Sequence, residues 1–104
     1  MFRDISFYIV DILIAIDKIK RYTKSITNSD ELLHNELIWD ATIRELIIIG
    51  EAVNILLKNN VISDEYRKIV DFRNIIVHGY FGIDKEIVWE VVNSKINNLK
   101  TELK

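Results

Sequence analysis

The chain has 104 residues, with 14 Lys or Arg against 16 Asp or Glu, so its formal net charge is −2. This length allows one domain, and 49% hydrophobic with 29% charged residues is typical of a globule rather than a disordered chain. The absence of cysteine excludes disulfides, thiolate metal sites and cysteine nucleophiles. We expect no membrane span, no signal peptide and a cytoplasmic location. Because there is no overall positive field, any nucleic-acid role must depend on a local site.

The first segment predicts a long helix. The chain has no proline and only three glycines, which favours an all-α fold. A stripe of isoleucines steps by four and three residues, the spacing of one apolar helix face, over Ile5, Ile9, Ile12, Ile16 and Ile19. We therefore expect a helix from about Phe2 to about Lys24.

A short helix and a second long helix are expected next. The short piece ends near Leu33, and its candidate N-caps are Asn28, Ser29 and Asp30. The long helix runs from about Asn35 to about Lys58. Two asparagines end it, because Asn59 and Asn60 compete with the helical backbone and tolerate left-handed conformations.

Two further helices complete the predicted fold. Ser63, followed by two acids, is the expected N-cap of a helix that lasts until about His78, where Gly79 and Gly82 follow. Asp84 is the expected N-cap of the last helix, whose apolar stripe contains Val88, Val91 or Val92, Ile96, Leu99 and Leu103. The sequence thus predicts one domain over 1–104, an up-and-down bundle of four main helices and a possible short fifth.

One segment near the end of the third main helix gathers a cation, an amide, an imidazole and a phenol. On a helical wheel, Arg73, Asn74, His78 and Tyr80 share one arc, provided that the helix reaches Tyr80. In the simplest interpretation His78 interacts with the helix dipole and Arg73 is a solvated charge. Alternatively, Arg73 binds phosphate, His78 transfers protons and Asn74 orients them, which together suffice for metal-free RNA cleavage.

These residues spell Arg-x4-His-x-Tyr, which resembles the motif of the HepT-like toxins of the HEPN superfamily. Nearly the whole chain follows that family in order and spacing, through Asp11-Ile-Leu, Ile19-Lys-Arg-Tyr-Thr23, Ile43-Arg44, Ile48-Ile-Gly-Glu-Ala52, Arg73-Asn-Ile-Ile-Val-His78, Tyr80-Phe-Gly-Ile-Asp84 and Ile87-Val-Trp-Glu90. The resemblance implies a HEPN-like fold and a metal-independent endoribonuclease toxin that needs no cofactor. It also implies that Arg73 and His78 are the catalytic pair.

The same resemblance implies two partners. One is a nucleotidyltransferase antitoxin of the MntA type, which transfers AMP to the motif tyrosine, here Tyr80. The other is a second copy of the chain, since one protomer has a single motif histidine while cleavage needs both a base and an acid. The two long helices, at about 35 Å each, also leave apolar surface for a second chain.

Arg44 and Glu51 interrupt an apolar stripe of the second long helix. The sequence allows an ion pair between them at the edge of the core, or a position in the cleft or dimer seam. Nearby, Glu45 and Ile47 stand where the family commonly has Asn and Glu. Any polar support from those positions is therefore in question.

Several weaker candidates are expected to be structural. We expect His34 to be exposed, and two histidines without His-x3-His spacing argue against a zinc site. Trp39 and Trp89 are expected in the core or a dimer interface rather than stacking on bases. A basic cluster, usually a solvated face but able to guide RNA, contains Lys18, Lys20, Arg21 and Lys24.

Two other functions remain open at this point. In the first, the chain is a non-catalytic nucleotide-binding or regulatory partner of a nucleotidyltransferase, which the net charge of −2 favours. In the second it is a plain helical dimerisation domain.

Overall fold

The computed structural model describes residues 4–79 and 82–104, and these residues form helices without any strand. The α-helices are α1 (Ile5–Tyr22), α2 (Ser29–His34), α3 (Glu36–Lys58), α4 (Arg67–His78), α5 (Lys85–Glu90) and α6 (Ile96–Leu103). A π-helical segment, Val91–Lys95, joins α5 to α6 in one continuous C-terminal helix. The all-α prediction of four main helices and a short fifth is confirmed, with α2 as the short one.

Side-chain caps fix the helix starts where the sequence predicts them. The Asn28 side chain accepts from the N–H of Glu31, and the Asn35 side chain accepts from that of Ile38. The Ser63 and Asp84 side chains act in the same way, and each accepts from the backbone N–H two residues later in the chain. Each cap satisfies a backbone donor that the first turn leaves unpaired. Asn60 has a φ of 56°, the left-handed conformation expected after α3.

Two helices differ from the prediction in detail. Ser63 opens a 3-10 turn, Asp64–Tyr66, and α4 begins only at Arg67. In the C-terminal helix the N–H of Ile96 bonds to the carbonyl of Val91, five residues back. The Asn93 side chain also donates to the Trp89 carbonyl, so this side chain competes for a helical acceptor where the π segment forms.

The helices pack around one apolar core. α1 packs on α3, α3 packs on α4, and the C-terminal helix contacts α2 through α5 and α1 through α6. The predicted stripe of α1 faces inward, with Ile12, Ile16 and Ile19 fully buried. Within the described ranges, no helix combines the length and apolar character needed to cross a membrane.

Polar contacts hold α2 on the start of α5. The Lys85 ammonium pairs with Asp30, and the Ser29 hydroxyl donates to Glu86. Lys85 lowers the pKa of Asp30 through its hydrogen bond and its charge, and Asp30 in turn raises the pKa of Lys85. The ion pair therefore joins α2 to α5 through two residues that are 55 positions apart in the sequence.

Candidate functional site

The closest approach of α3 and α4 lies at Gly50 and Arg73. A Cβ atom built on Gly50 would lie 2.3 Å from Cβ of Arg73 and 2.6 Å from its Cγ. Only a residue without a side chain fits there, so Gly50 receives the stem of Arg73 against the backbone of α3. Sequence reasoning did not assign Gly50 to the site, although it is the only glycine within a predicted helix, a pattern that often has a packing reason.

The Arg73 side chain is held by two neighbours. Its Nη1 donates to Oδ1 of Asn74 at 2.8 Å, and its Nη2 donates to Oε1 of Glu51 at 3.2 Å. The side chain is 28% exposed, and its buried Nε finds no partner among the described residues. The guanidinium is thus fixed in direction while part of it stays open to solvent.

A cavity of about 360 Å³ opens beside Arg73 between α1 and α3, with Tyr8, Asp11, Glu51 and Asn54 in its wall. Asp11 and Glu51 bring negative charge close to the guanidinium. Any anion that binds this guanidinium would therefore compete with Glu51 for Arg73.

The allowed ion pair between Arg44 and Glu51 does not form, because Glu51 bonds to Arg73. Seven residues of helix separate Arg44 from Glu51 by about 10 Å along the axis, so both side chains would have to extend toward each other to meet. Both instead line a second cavity, of about 680 Å³. Its other lining residues are mostly apolar and come from α3, α4 and the segment before α5: Trp39, Asp40, Ile43, Ile47, Ile48, Ile76, Val77 and Ile83.

His78 is the last residue of α4 and is exposed. The N–H of Gly79 bonds to the carbonyl of Ile75 at 2.6 Å and closes the helix there. Arg73 and His78 are five residues apart, which is about 7.5 Å along the axis and about 140° around it. The structure therefore places both residues on α4 but points them in different directions.

Of the four motif residues, Arg73 and Asn74 are brought into contact and His78 stands apart at the helix end. Tyr80, the predicted modification site, lies outside the described residues.

The weaker candidates take the positions expected of structural residues. His34 is exposed and its Nδ1 lies 2.7 Å from the Asp30 carbonyl. Trp39 and Trp89 are half-buried against the core. Glu45 is buried, with 6% exposure, and Ile47 lines the larger cavity. No group of three or more potential metal ligands occurs in the parts of the chain that are described.

Large apolar side chains remain exposed near the site. On α4, Ile75 and Val77 are 53% and 41% exposed on either side of the core-facing Ile76. On α1, Phe7, Val10 and Ile14 form a second exposed stripe at helical spacing. Such surface is typical of proteins that associate with another chain.

Comparisons with known proteins identify a class of ribonucleases. A family model described as Ribonuclease HepT-like matches residues 12–104. A protein of Methanocaldococcus jannaschii named "Putative RNase" is 34% identical over 104 residues, covering 97% of this chain and 94% of the relative. A "Probable ribonuclease HepT" of Thermococcus cleftensis is 33% identical over 101 residues, covering 89% and 86%. No solved structure matches with significance.

The chain therefore belongs to the HepT-like ribonuclease family, and the resemblance inferred from its motifs is confirmed.

Proposed function

We propose that this protein is a metal-independent endoribonuclease that acts as the toxin of a toxin-antitoxin pair in the cytoplasm. Arg73 and His78 are its catalytic residues and Asn74 supports Arg73. The observation that carries the proposal is the fixed, partly open guanidinium of Arg73 on the same helix as an exposed histidine, in a chain of a ribonuclease family.

The chemistry needs only groups that this pair offers. A base removes the proton of a ribose 2′-hydroxyl, whose oxygen then forms a bond to the adjacent phosphorus. The bond from phosphorus to the 5′-oxygen breaks, and an acid returns a proton to that oxygen. Arg73 stabilises the charge that develops on the phosphoryl oxygens. The products are a 2′,3′-cyclic phosphate and a free 5′-hydroxyl, so no metal and no cofactor is consumed.

A symmetric homodimer supplies the second proton-transfer group. One protomer supplies a single motif histidine, His78, whereas cleavage needs both a base and an acid. Two copies related by a two-fold axis can bring both His78 side chains and both Arg73 side chains to one cleft. Exposed Ile75 and Val77, and the apolar cavity with Arg44 and Glu51 at its edge, offer the surface for that contact.

Mixing the wild type with an inactive variant tests the shared cleft. In the composite site one His78 is the base and the other is the acid, so a heterodimer of wild type and His78→Ala lacks one of the two groups and is expected to be inactive. Subunit exchange with excess His78→Ala should therefore lower the cleavage per wild-type subunit toward zero. A mixture that exchanges subunits by mass analysis and keeps the full cleavage per wild-type subunit contradicts the composite site.

We further propose that an MntA-type nucleotidyltransferase antitoxin transfers AMP to Tyr80. Tyr80 follows His78 by two positions, so an adenylate there would bring negative charge and bulk next to the catalytic residues. The expected result is one added adenylate mass and loss of cleavage after incubation with the antitoxin and ATP. Tyr80→Phe should prevent both, and modification of that variant would place the acceptor elsewhere.

The central test is RNA cleavage by unmodified protein in EDTA, beside Arg73→Ala and His78→Ala. The intact mass of each preparation excludes a carried-over adenylate, and thermal melting confirms folding. Cleavage by the wild type alone supports the proposal. An unmodified, folded wild type that cleaves no RNA contradicts it.

A second function, a non-catalytic nucleotide-binding or regulatory partner of a nucleotidyltransferase, is favoured by the charge of the chain. The net charge of −2 gives no overall positive field that would attract RNA. Tight binding of ATP or AMP without any cleavage would favour this function. If loss of Arg73 or His78 changes neither growth nor partner binding, the chain is a plain dimerisation domain.

A further inference from the structure

The charges of the chain are unevenly distributed. Residues 17–24 and 99–104 carry six Lys or Arg and two acids, a net charge of +4 within fourteen residues. The rest of the chain has eight cations and fourteen acids, a net charge of −6. The net charge of −2 is therefore the sum of one strongly basic region and a larger acidic remainder.

The fold brings these two segments together. α6 packs on α1, and Ile19 of α1 and Leu99 of α6 are fully buried in the same core. Lys20 and Lys100 directly follow these two residues. Burial lowers the pKa of Lys20, and repulsion by Lys100 and Lys104 lowers it further. We call Lys20, Lys100 and Lys104 the basic patch.

The two acids of these segments do not neutralise the patch. The Asp17 carboxylate accepts from Nε of Arg21 at 3.1 Å, and its attraction for Lys20 is weaker than the repulsion by Lys100 and Lys104. Burial raises the pKa of Tyr66 to about 12, and Glu102, which faces Tyr66, adds to the rise. A helix dipole favours a cation at each helix end, but it does not explain why cations of two helices lie close enough to repel one another.

We propose that the basic patch binds the phosphodiester backbone of single-stranded RNA at a distance from Arg73, an inference that rests on the proposed ribonuclease function. Phosphates placed between like charges relieve their repulsion and release counterions. Asp11, in the wall of the Arg73 cavity, precedes Lys20 by nine residues, about 14 Å along α1. A strand several nucleotides long can span that distance, as in other basic grooves that follow single strands.

Salt-dependent binding tests the patch. The probe is a fluorescent single-stranded RNA with 2′-O-methyl groups, which the proposed reaction cannot cleave. Lys20→Gln/Lys100→Gln should lower the slope of log K against log[salt] by about 1.4, since each phosphate contact contributes about 0.7. The same relation gives about a 25-fold weaker affinity at 0.1 M salt.

The matched control is Arg67→Gln/Lys85→Gln, which changes the net charge equally. Arg67 and Lys85 already face Asp64 and Asp30, so we expect the slope and affinity to stay close to wild type. Thermal melting of both variants reports their folding. The proposal is overturned if both double variants lose RNA affinity equally, or if the patch variant keeps the wild-type slope.

The outcomes also separate this inference from the proposed function. If the wild type cleaves RNA and the patch variant has the same Michaelis constant, the ribonuclease function is supported and RNA binding by the basic patch is overturned. If RNA binding depends on the basic patch but ordinary RNA is not cleaved, the ribonuclease function is overturned and the chain is an RNA-binding protein. Patch-dependent binding to an acidic protein but not to RNA would overturn the choice of ligand.

Discussion

The two ends of the motif on α4, Arg73 and His78, differ in how many contacts they make with the rest of the chain. Arg73 sits on Gly50 of α3 and bonds to Glu51 and Asn74, so packing and hydrogen bonds fix both its stem and its head group. His78, one and a half turns later, is an exposed residue at the helix end. The proposed phosphate-binding residue is thus positioned within one chain, while the proposed proton-transfer residue is exposed to a partner or substrate.

The largest effect is expected from removing the exposed His78, which should lower the cleavage rate without lowering the stability of the fold. His78→Ala should lower the cleavage rate by about 10²- to 10⁴-fold, the usual loss of a general acid or base. Because His78 is exposed, the free energy of unfolding should change by no more than about 0.5 kcal/mol. Single-turnover cleavage and denaturant unfolding measure the two quantities. A variant that loses stability as strongly as activity would contradict the division between the two ends.

At the fixed end, Gly50→Ala should change both quantities. The new Cβ would overlap Cβ and Cγ of Arg73, so α4 or the side chain must move. Overpacking of this kind costs about 1–3 kcal/mol, and a displacement near 1 Å lowers activity by about 10²-fold. Gly82→Ala is the control, because among the described residues its Cβ would meet only the Gly79 carbonyl, at an ordinary 3.7 Å. Normal cleavage by Gly50→Ala would show that the close contact does not position Arg73.

A smaller effect is expected from Glu51→Gln. The amide oxygen can keep the hydrogen bond from Nη2 of Arg73, while the negative charge that competes with phosphate is removed. One unit charge at about 4 Å contributes about 1 kcal/mol in water, so the Michaelis constant for RNA should fall about fivefold. Steady-state kinetics with Asp40→Asn as a charge-matched control measure it. A higher Michaelis constant would show that Glu51 supports substrate binding.

The smallest effect lies away from the site, between α2 and α5. Asp30→Asn removes the partner of Lys85 and should lower the melting temperature by only a few degrees, since the pair is largely exposed. The pKa of Asp30 is lowered in the folded state, so its contribution exists above the unfolded pKa and disappears as the pH falls through the folded one. Melting of both proteins between pH 3 and 7 should converge at the acidic end. A difference that persists there would exclude the carboxylate as its cause.

The sequence predicted what local patterns determine. The isoleucine stripe of α1 and the caps at Asn28 and Asp84 follow from spacing and from short-range hydrogen bonds. Contacts between helices were not predictable from those patterns. The pairing of Glu51 with Arg73 and the meeting of Lys20 with Lys100 depend on how distant helices cross.

The family motif identified Arg73 and His78 as candidates but did not reveal how they are arranged. A helical wheel placed both residues on one polar arc, and the structure has both on α4. A helical wheel does not include the neighbouring helix α3, whose Gly50 determines where the Arg73 side chain can lie. A glycine inside a helix was the available signal, since such a residue often marks a close approach.

The contact between Gly50 and Arg73 also offers a way to sort related genes. A homologue with any larger residue at the position of Gly50 cannot seat the arginine stem in the same place. If Arg73 acts as proposed, we expect such a gene to encode a protein with the complete Arg-x4-His motif and an impaired site. Position 50 read together with the motif should then separate active homologues from inactive ones better than the motif alone, which cleavage assays on both groups would check.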